Sequence, residues 1–312
     1  MMTNLEKSII ATLIYYDLLD RPLTELEIYK YLLGPSREVS FFDFKQTLAN
    51  LVQAKKINAR DGLYFLSEHS ELIKIREKRL KLAQLKWKKL KKIGRWLALV
   101  PFLRLVAVTG SLTAYNTRQE SDFDLLIVAK SGRLWLTRIF TTALLGFLGV
   151  RRHDQLTRDR ICLNCYLTND SLEIKNEAKP RDWHSAQEYG RLTPILEIKP
   201  GLYQKFIQAN GWLKNFLNFY PWPASQTARK IKASQWLEAG RRMMEWCLGG
   251  KMGDWLEKKL GQWQTRRIRQ KNESQPADQV YVSDQCLMFH PQSKSYELMR
   301  QFNLKIEQLV DL

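Results

Sequence analysis

The sequence predicts an α+β protein: a small mixed sheet between a helical N-terminal module and a helical C-terminal region. Three observations carry that expectation. Leu105-Val106-Ala107-Val108 and Leu125-Leu126-Ile127-Val128 have the length and branching of buried strands, and they flank a Gly110-Ser111 turn. The first 68 residues hold three helical patterns and a hairpin pattern. From Pro180 onward, apolar side chains recur mostly at helical spacing. The chain accordingly divides into a module over 1–68, a basic connector helix over 69–98, a core over 99–179, a helical domain over 180–272 and a tail over 273–312.

With 312 residues and 45% hydrophobic content, the chain can bury two or three cores and is not a disordered polyelectrolyte. Its 50 Lys and Arg against 32 Asp and Glu leave a net charge of +18, which attracts polyanions or solvates a basic surface. Four cysteines make no dense disulfide framework, and no cleavable signal peptide opens the sequence. The apolar runs 97–108 and 139–150 fall short of a membrane span. A cytoplasmic protein is expected.

Residues 5–19 are helical in period, and Asp20-Arg21-Pro22 stops them. Thr24 and Glu27 form a capping-box pattern for a second helix to about Leu33. Ser40 caps a third over 41–54, and 55–66 reads as two short strands joined at Asp61-Gly62. Three helices and a hairpin in this order resemble a winged helix, whose third helix enters the DNA major groove in DNA-binding members. Here the helix has few residues suited to base edges, chiefly Lys45, Gln46, Asn50 and Gln53, so packing or protein interaction is the expectation over DNA. Residues 70–97 form a long basic helix with an apolar stripe of Leu72, Ile75, Leu82, Leu85, Leu90, Ile93 and Leu97. It reads as a connector with a solvated face. The sharper alternative is that Lys78, Lys81, Lys88, Lys89 and Lys92 hold the phosphates of an RNA or other polyanionic acceptor.

After Gly110-Ser111 and a spacer of about ten residues come Asp122-Phe123-Asp124, with Ser121 directly before them. Alternation puts both aspartates on one strand face, roughly 7 Å apart along the backbone, close enough to share a divalent ion. A Gly-Ser turn offers backbone N–H groups and a hydroxyl to a phosphate. Strand, Gly-Ser, spacer, Asp-hydrophobic-Asp strand: this arrangement resembles the polymerase-beta-like nucleotidyltransferase superfamily over roughly residues 100–175. The resemblance implies that Asp122 and Asp124 are catalytic and bind Mg²⁺ or Mn²⁺, and that Gly110 and Ser111 bind the NTP phosphates. Arg118 and Ser121 are further nucleotide-binding candidates. It implies transfer of an NMP to an RNA, small-molecule or protein acceptor with release of pyrophosphate. A nucleotide-binding regulator and a toxin–antitoxin component are the rival readings.

That superfamily places a third carboxylate on a later strand, and the strand expected over Ile161–Thr168 carries Asn164 instead. Asn164 can lend a carbonyl oxygen to a cation but no charge, and it takes no proton from an attacking hydroxyl. Two carboxylates and a water, a substitute acid (Asp154, Asp159 or Glu173), or binding without turnover all remain open. Cys162 and Cys165 would point to opposite strand faces, which argues against zinc and for buried thiols.

Residues 182–193 and 202–217 read as helices. Tyr203, Phe206, Ala209-Asn210 and Trp212 resemble a pattern in the helical region that follows the core in uncharacterised bacterial members of the superfamily, and Asn210 is expected to be a cap or core amide. Trp236, Trp246, Trp255 and Trp263 on the helices of 226–269 are expected to fill a core, the alternative being base stacking among their basic neighbours. The tail adds a strand near 279–282, a structural or base-like His290, and a final helix over 293–309.

Overall fold

The computed structural model describes residues 2–34, 39–66, 71–153, 156–218, 220–221, 229–271, 280–289 and 294–310. Among them are eleven helices and two sheets.

The N-terminal module begins with α1 (Asn4–Asp17), capped by Thr3 and Glu6 in a reciprocal box that satisfies two otherwise orphaned N–H groups. After β1 (Leu23–Thr24), the Thr24–Glu27 box opens α2 (Glu25–Lys30), and Ser40 caps α3 (Phe41–Gln53). The hairpin β2 (Asn58–Arg60) and β3 (Leu63–Phe65) completes a three-stranded antiparallel sheet in the order β1-β3-β2.

Next comes α4 (Glu71–Gly94), which ends in a 3₁₀ turn over Arg95–Leu99. Its buried side runs through Leu72, Ile73, Ala83, Lys86, Trp87 and Leu90. Leu85, expected in the apolar stripe, is 57% exposed, while the buried position beside it is Lys86. Three acceptors explain the exchange: Lys86 Nζ donates to Gln119 O at 3.0 Å and Ser121 O at 2.6 Å and pairs with Asp159 Oδ1 at 2.9 Å. A buried ammonium with three oxygens is satisfied.

The larger sheet is built on β4 (Leu103–Val108) and, after the one-turn α5 (Gly110–Thr113), β5 (Phe123–Ala129). Then α6 (Leu134–Phe147) crosses over to β6 (Ile161–Thr168), which pairs parallel with β5. Beyond it lie α7 (Trp183–Gly190), β7 (Thr193–Glu197), α8 (Leu202–Ala209), α9 (Gln235–Cys247), α10 (Lys251–Lys271), β8 (Val280–Val282), β9 (Cys286–Phe289) and α11 (Lys294–Val310). The six strands run in the order β7-β4-β5-β6-β9-β8, all pairs but β5/β6 antiparallel. Thus the sheet draws strands from beyond residue 179. The expected helix end at Thr193-Pro194 is an edge strand, where Pro194 forgoes an N–H that no neighbour requires.

One sheet face packs against α4, α6, α9 and α10 through Val106, Phe123, Leu125, Ile127 and Tyr166. The other packs against α7 and α8 through Leu105, Ala107, Leu126, Val128 and Leu167. A separate core of the N-terminal module includes Phe302 from α11, so the last helix packs onto α1. The four tryptophans of α9 and α10 do not fill a core. They are between 51% and 83% exposed, because each helix turns other residues inward, among them Leu237, Arg241, Gly261, Gln264 and Ile268. Asn210 is a core amide that accepts from Ile174 N and donates to Leu172 O. No helix among the described residues is long and apolar enough to cross a membrane.

Candidate active site

Asp122 and Asp124 flank Phe123, whose ring is fully buried in the core on the opposite face of β5. Strand alternation therefore turns both carboxylates to the same side. Gly110, with φ +69°, bends the chain at the end of the neighbouring β4. A Cβ on Gly110 would fall on Asp124 Oδ2, well inside van der Waals contact. Only glycine meets both the left-handed backbone and this approach. Ser111 follows on the same turn, and Thr109 N donates to Asp124 O at 3.0 Å to fix the register of bend and acid.

From β6 come two more groups. Asp124 lies opposite Cys162 and Leu126 opposite Cys165, so three steps along β6 match two along β5. This β-bulge overturns the expectation that the two cysteines face opposite ways: both lie on the face of Asp124 and Leu126. Asn164 Nδ2 donates to Asp124 Oδ1 at 2.8 Å, while its buried Oδ1 has no protein partner. One ligand atom each from Asp122, Asp124 and Cys162 lies within 4.8 Å of the others.

Electrostatics separates the members of this cluster. Burial, reinforced by the charge of Asp122, pushes the Asp124 carboxyl up to about 7. Burial and then the two acids push the Cys162 thiol up to about 12, so it stays neutral and is a poor thiolate ligand. The groups that could hold a cation are therefore the two carboxylates and the orphaned Asn164 oxygen, an oxygen set that suits a hard divalent ion better than zinc.

Several participants carry no motif. Arg152 NH1 donates to Asp122 Oδ2 at 2.7 Å and reaches Cys162 Sγ at 3.5 Å. It lies in the loop after α6, where nothing in local sequence marks one arginine among several. Glu188 of α7 adds negative potential at Asp124 and pairs with Lys179 at 3.6 Å. Lys86, already described, anchors the segment that leads into Asp122. The pairing of these residues is long-range, so sequence spacing holds no signal for it.

Other candidates have different neighbours. The Arg118 guanidinium pairs with Asp20 Oδ2 of the N-terminal module at 3.1 Å, and Arg118 N donates to Ser121 Oγ at 2.9 Å. Both residues brace the loop before Asp122. Among the substitute acids, Asp159 pairs with Lys86 and Lys89 and Glu173 with Arg181. Asp154 and His290 lie outside the described residues. Compared with known proteins, the chain matches no family model, no curated sequence and no solved structure.

Proposed function

We propose that the chain is a divalent-metal-dependent nucleotidyltransferase that moves an NMP from an NTP to an acceptor and releases pyrophosphate. The observation that carries this reading is the Gly110 bend pressed against Asp124, with Asp122 on the same strand face. Such closeness has little packing value, since it holds two acids together in a partly dehydrated place.

In this reading Asp122 and Asp124 hold Mg²⁺ or Mn²⁺, with Asn164 Oδ1 as a neutral third oxygen. When bound, the ion supplies charge neutralisation on the transferred and leaving phosphates. Backbone N–H groups of Gly110 and Ser111, with the Ser111 hydroxyl, hold the β- and γ-phosphates. Asp124 would hold the ion as its carboxylate, the form that a bound cation favours. Arg152, which pairs with Asp122, would offer a forked donor to a phosphate oxygen at this site. The module of 1–68 would then serve as a winged-helix-like interaction module, a role in keeping with the order helix, strand, two helices, hairpin and with the 75% exposed Phe42 on α3.

A second reading, a nucleotide-binding regulator without turnover, is favoured by Asn164 at the place of a third acid and by the Arg152 guanidinium on Asp122. Incubation with Mg²⁺ or Mn²⁺, each α-³²P-labelled NTP and cell lysate, beside Asp122→Ala/Asp124→Ala, separates the two. Transfer that falls by on the order of a hundred-fold or more in the double variant supports the enzyme. Label transfer that survives in the variant sinks the site assignment. Nucleotide binding with no transfer under any condition supports the regulator.

A further inference from the structure

The exposed side of α4 is a row of cations. Lys74, Lys78, Lys81, Lys88, Lys92 and Arg95 recur at intervals of three, four or seven, so they share one face, and all six are exposed. From Lys78 to Arg95 the chain has nine Lys and Arg and no Asp or Glu. None of the six has an ion-pair partner among the described residues. The row from Lys74 to Lys92 is about 27 Å long.

Two features make this more than a solvated helix. First, α4 is fastened to the loop that leads into the acids: Lys86 holds Gln119 and Ser121, and Arg79 NH1 donates to Asn116 Oδ1 at 2.9 Å. A basic groove of about 330 Å³, lined in part by Lys88, Lys92, Gln119 and Arg158, runs between helix and loop. Second, the row ends at an aromatic ridge. Trp96, directly after Arg95, meets Trp236 edge-on with centroids 5.6 Å apart, and further along α9 Met243 and Trp246 are exposed.

We infer that this surface binds single-stranded nucleic acid, RNA in particular, with the backbone along α4 and bases on the ridge of Trp236 and Trp246. Cations in file next to exposed aromatic faces are what an unpaired strand requires, since every base has a face to stack and every link a phosphate. An anionic membrane requires apolar side chains on the same face as the cations, and along α4 only Leu80 and Leu85 are exposed. The strand passes the loop before Asp122, which makes it the acceptor class of the proposed reaction; that last step alone rests on the nucleotidyl-transfer reading.

Binding of a fluorescein-labelled single-stranded RNA of mixed sequence, and of the matching DNA, is measured by anisotropy over a range of salt with the full chain. The background is Asp122→Ala/Asp124→Ala, so that catalysis plays no part. Expected is a slope of log affinity against log salt that falls by about 3 when Lys78, Lys81, Lys88 and Lys92 are changed to Gln. Trp236→Ala/Trp246→Ala should weaken binding on the order of ten-fold with the slope unchanged. RNA bound more tightly than DNA supports the acceptor assignment, and DNA preferred overturns it. A slope that ignores the four lysines overturns the surface, as does capture by phosphatidylserine vesicles in preference to RNA. Circular dichroism of each variant confirms folding, and exposed Lys→Gln changes preserve helix propensity. If RNA binds as expected and the wild-type chain transfers no label, the surface stands and the catalytic reading fails.

Discussion

Gly110 does two things at one position, and each has a separate cost if removed. Gly110→Ala puts a side chain into left-handed backbone, worth about 1–2 kcal/mol, and drives it onto Asp124. The expected outcome is a lowered melting temperature together with loss of Mn²⁺ binding read by electron paramagnetic resonance; an unchanged Mn²⁺ signal would contradict the geometry. Asp124 has its own pH signature. With its carboxyl at about 7 when folded and 3.8 as the ordinary value, the native state binds more protons than the unfolded one between those values. Stability of the metal-free protein therefore falls as pH rises from about 4 to about 7. The melting temperature should be higher at pH 5 than at pH 8, and Asp124→Asn should reduce the difference. The acids and the bend could be read from the chain, because alternation and a Gly-Ser turn are local. Arg152 could not, since its partner is 30 residues away and several other arginines share its loop.

Among the elements, α4 shows how a tertiary contact redirects a helical pattern. Lys86 sits where periodicity alone calls for an apolar residue, and three oxygens from distant loops make that position acceptable. Lys86→Ala leaves Ser121 O and Gln119 O without their ammonium and Asp159 with Lys89 alone. A loss of about 2 kcal/mol is expected, smaller than for a fully buried pair because Asp159 is partly exposed. Hydrogen exchange over 118–122 should accelerate more than over β4; equal protection in the variant would show that the loop holds itself. The central strands β4, β5 and β6 were legible because each is an apolar, bounded run. By contrast β7 was hidden, since Pro194 and the helical residues before it argue against a strand, and only an edge position reconciles them. The bulge in β6 was equally invisible: its register is set by β5 and not by its own residues. The tryptophans of α9 and α10 misled for a third reason, that size favours burial only where a partner surface exists to cover it.

For the whole molecule, the sheet gathers strands from positions 103 to 289, and its two faces bury separate cores. Its mixed α+β class was readable from the order of elements, while the recruitment of β7, β8 and β9 was not, because strand pairing over such separations leaves no local trace. The N-terminal core depends on the far end of the chain through Phe302, whose ring lies 5.9 Å from that of Tyr15. Phe302→Ala should cost about 3 kcal/mol, seen as earlier unfolding of α1 by hydrogen exchange with the large sheet unaffected. The seat for Phe302 also sets a timetable. On a ribosome adding roughly 5–20 residues per second, α1 emerges and then waits roughly 15–60 s for the helix that completes its packing. During that interval an apolar surface that includes Tyr15 stands open to water, so the newborn chain carries an aggregation-prone face until α11 arrives to cover it.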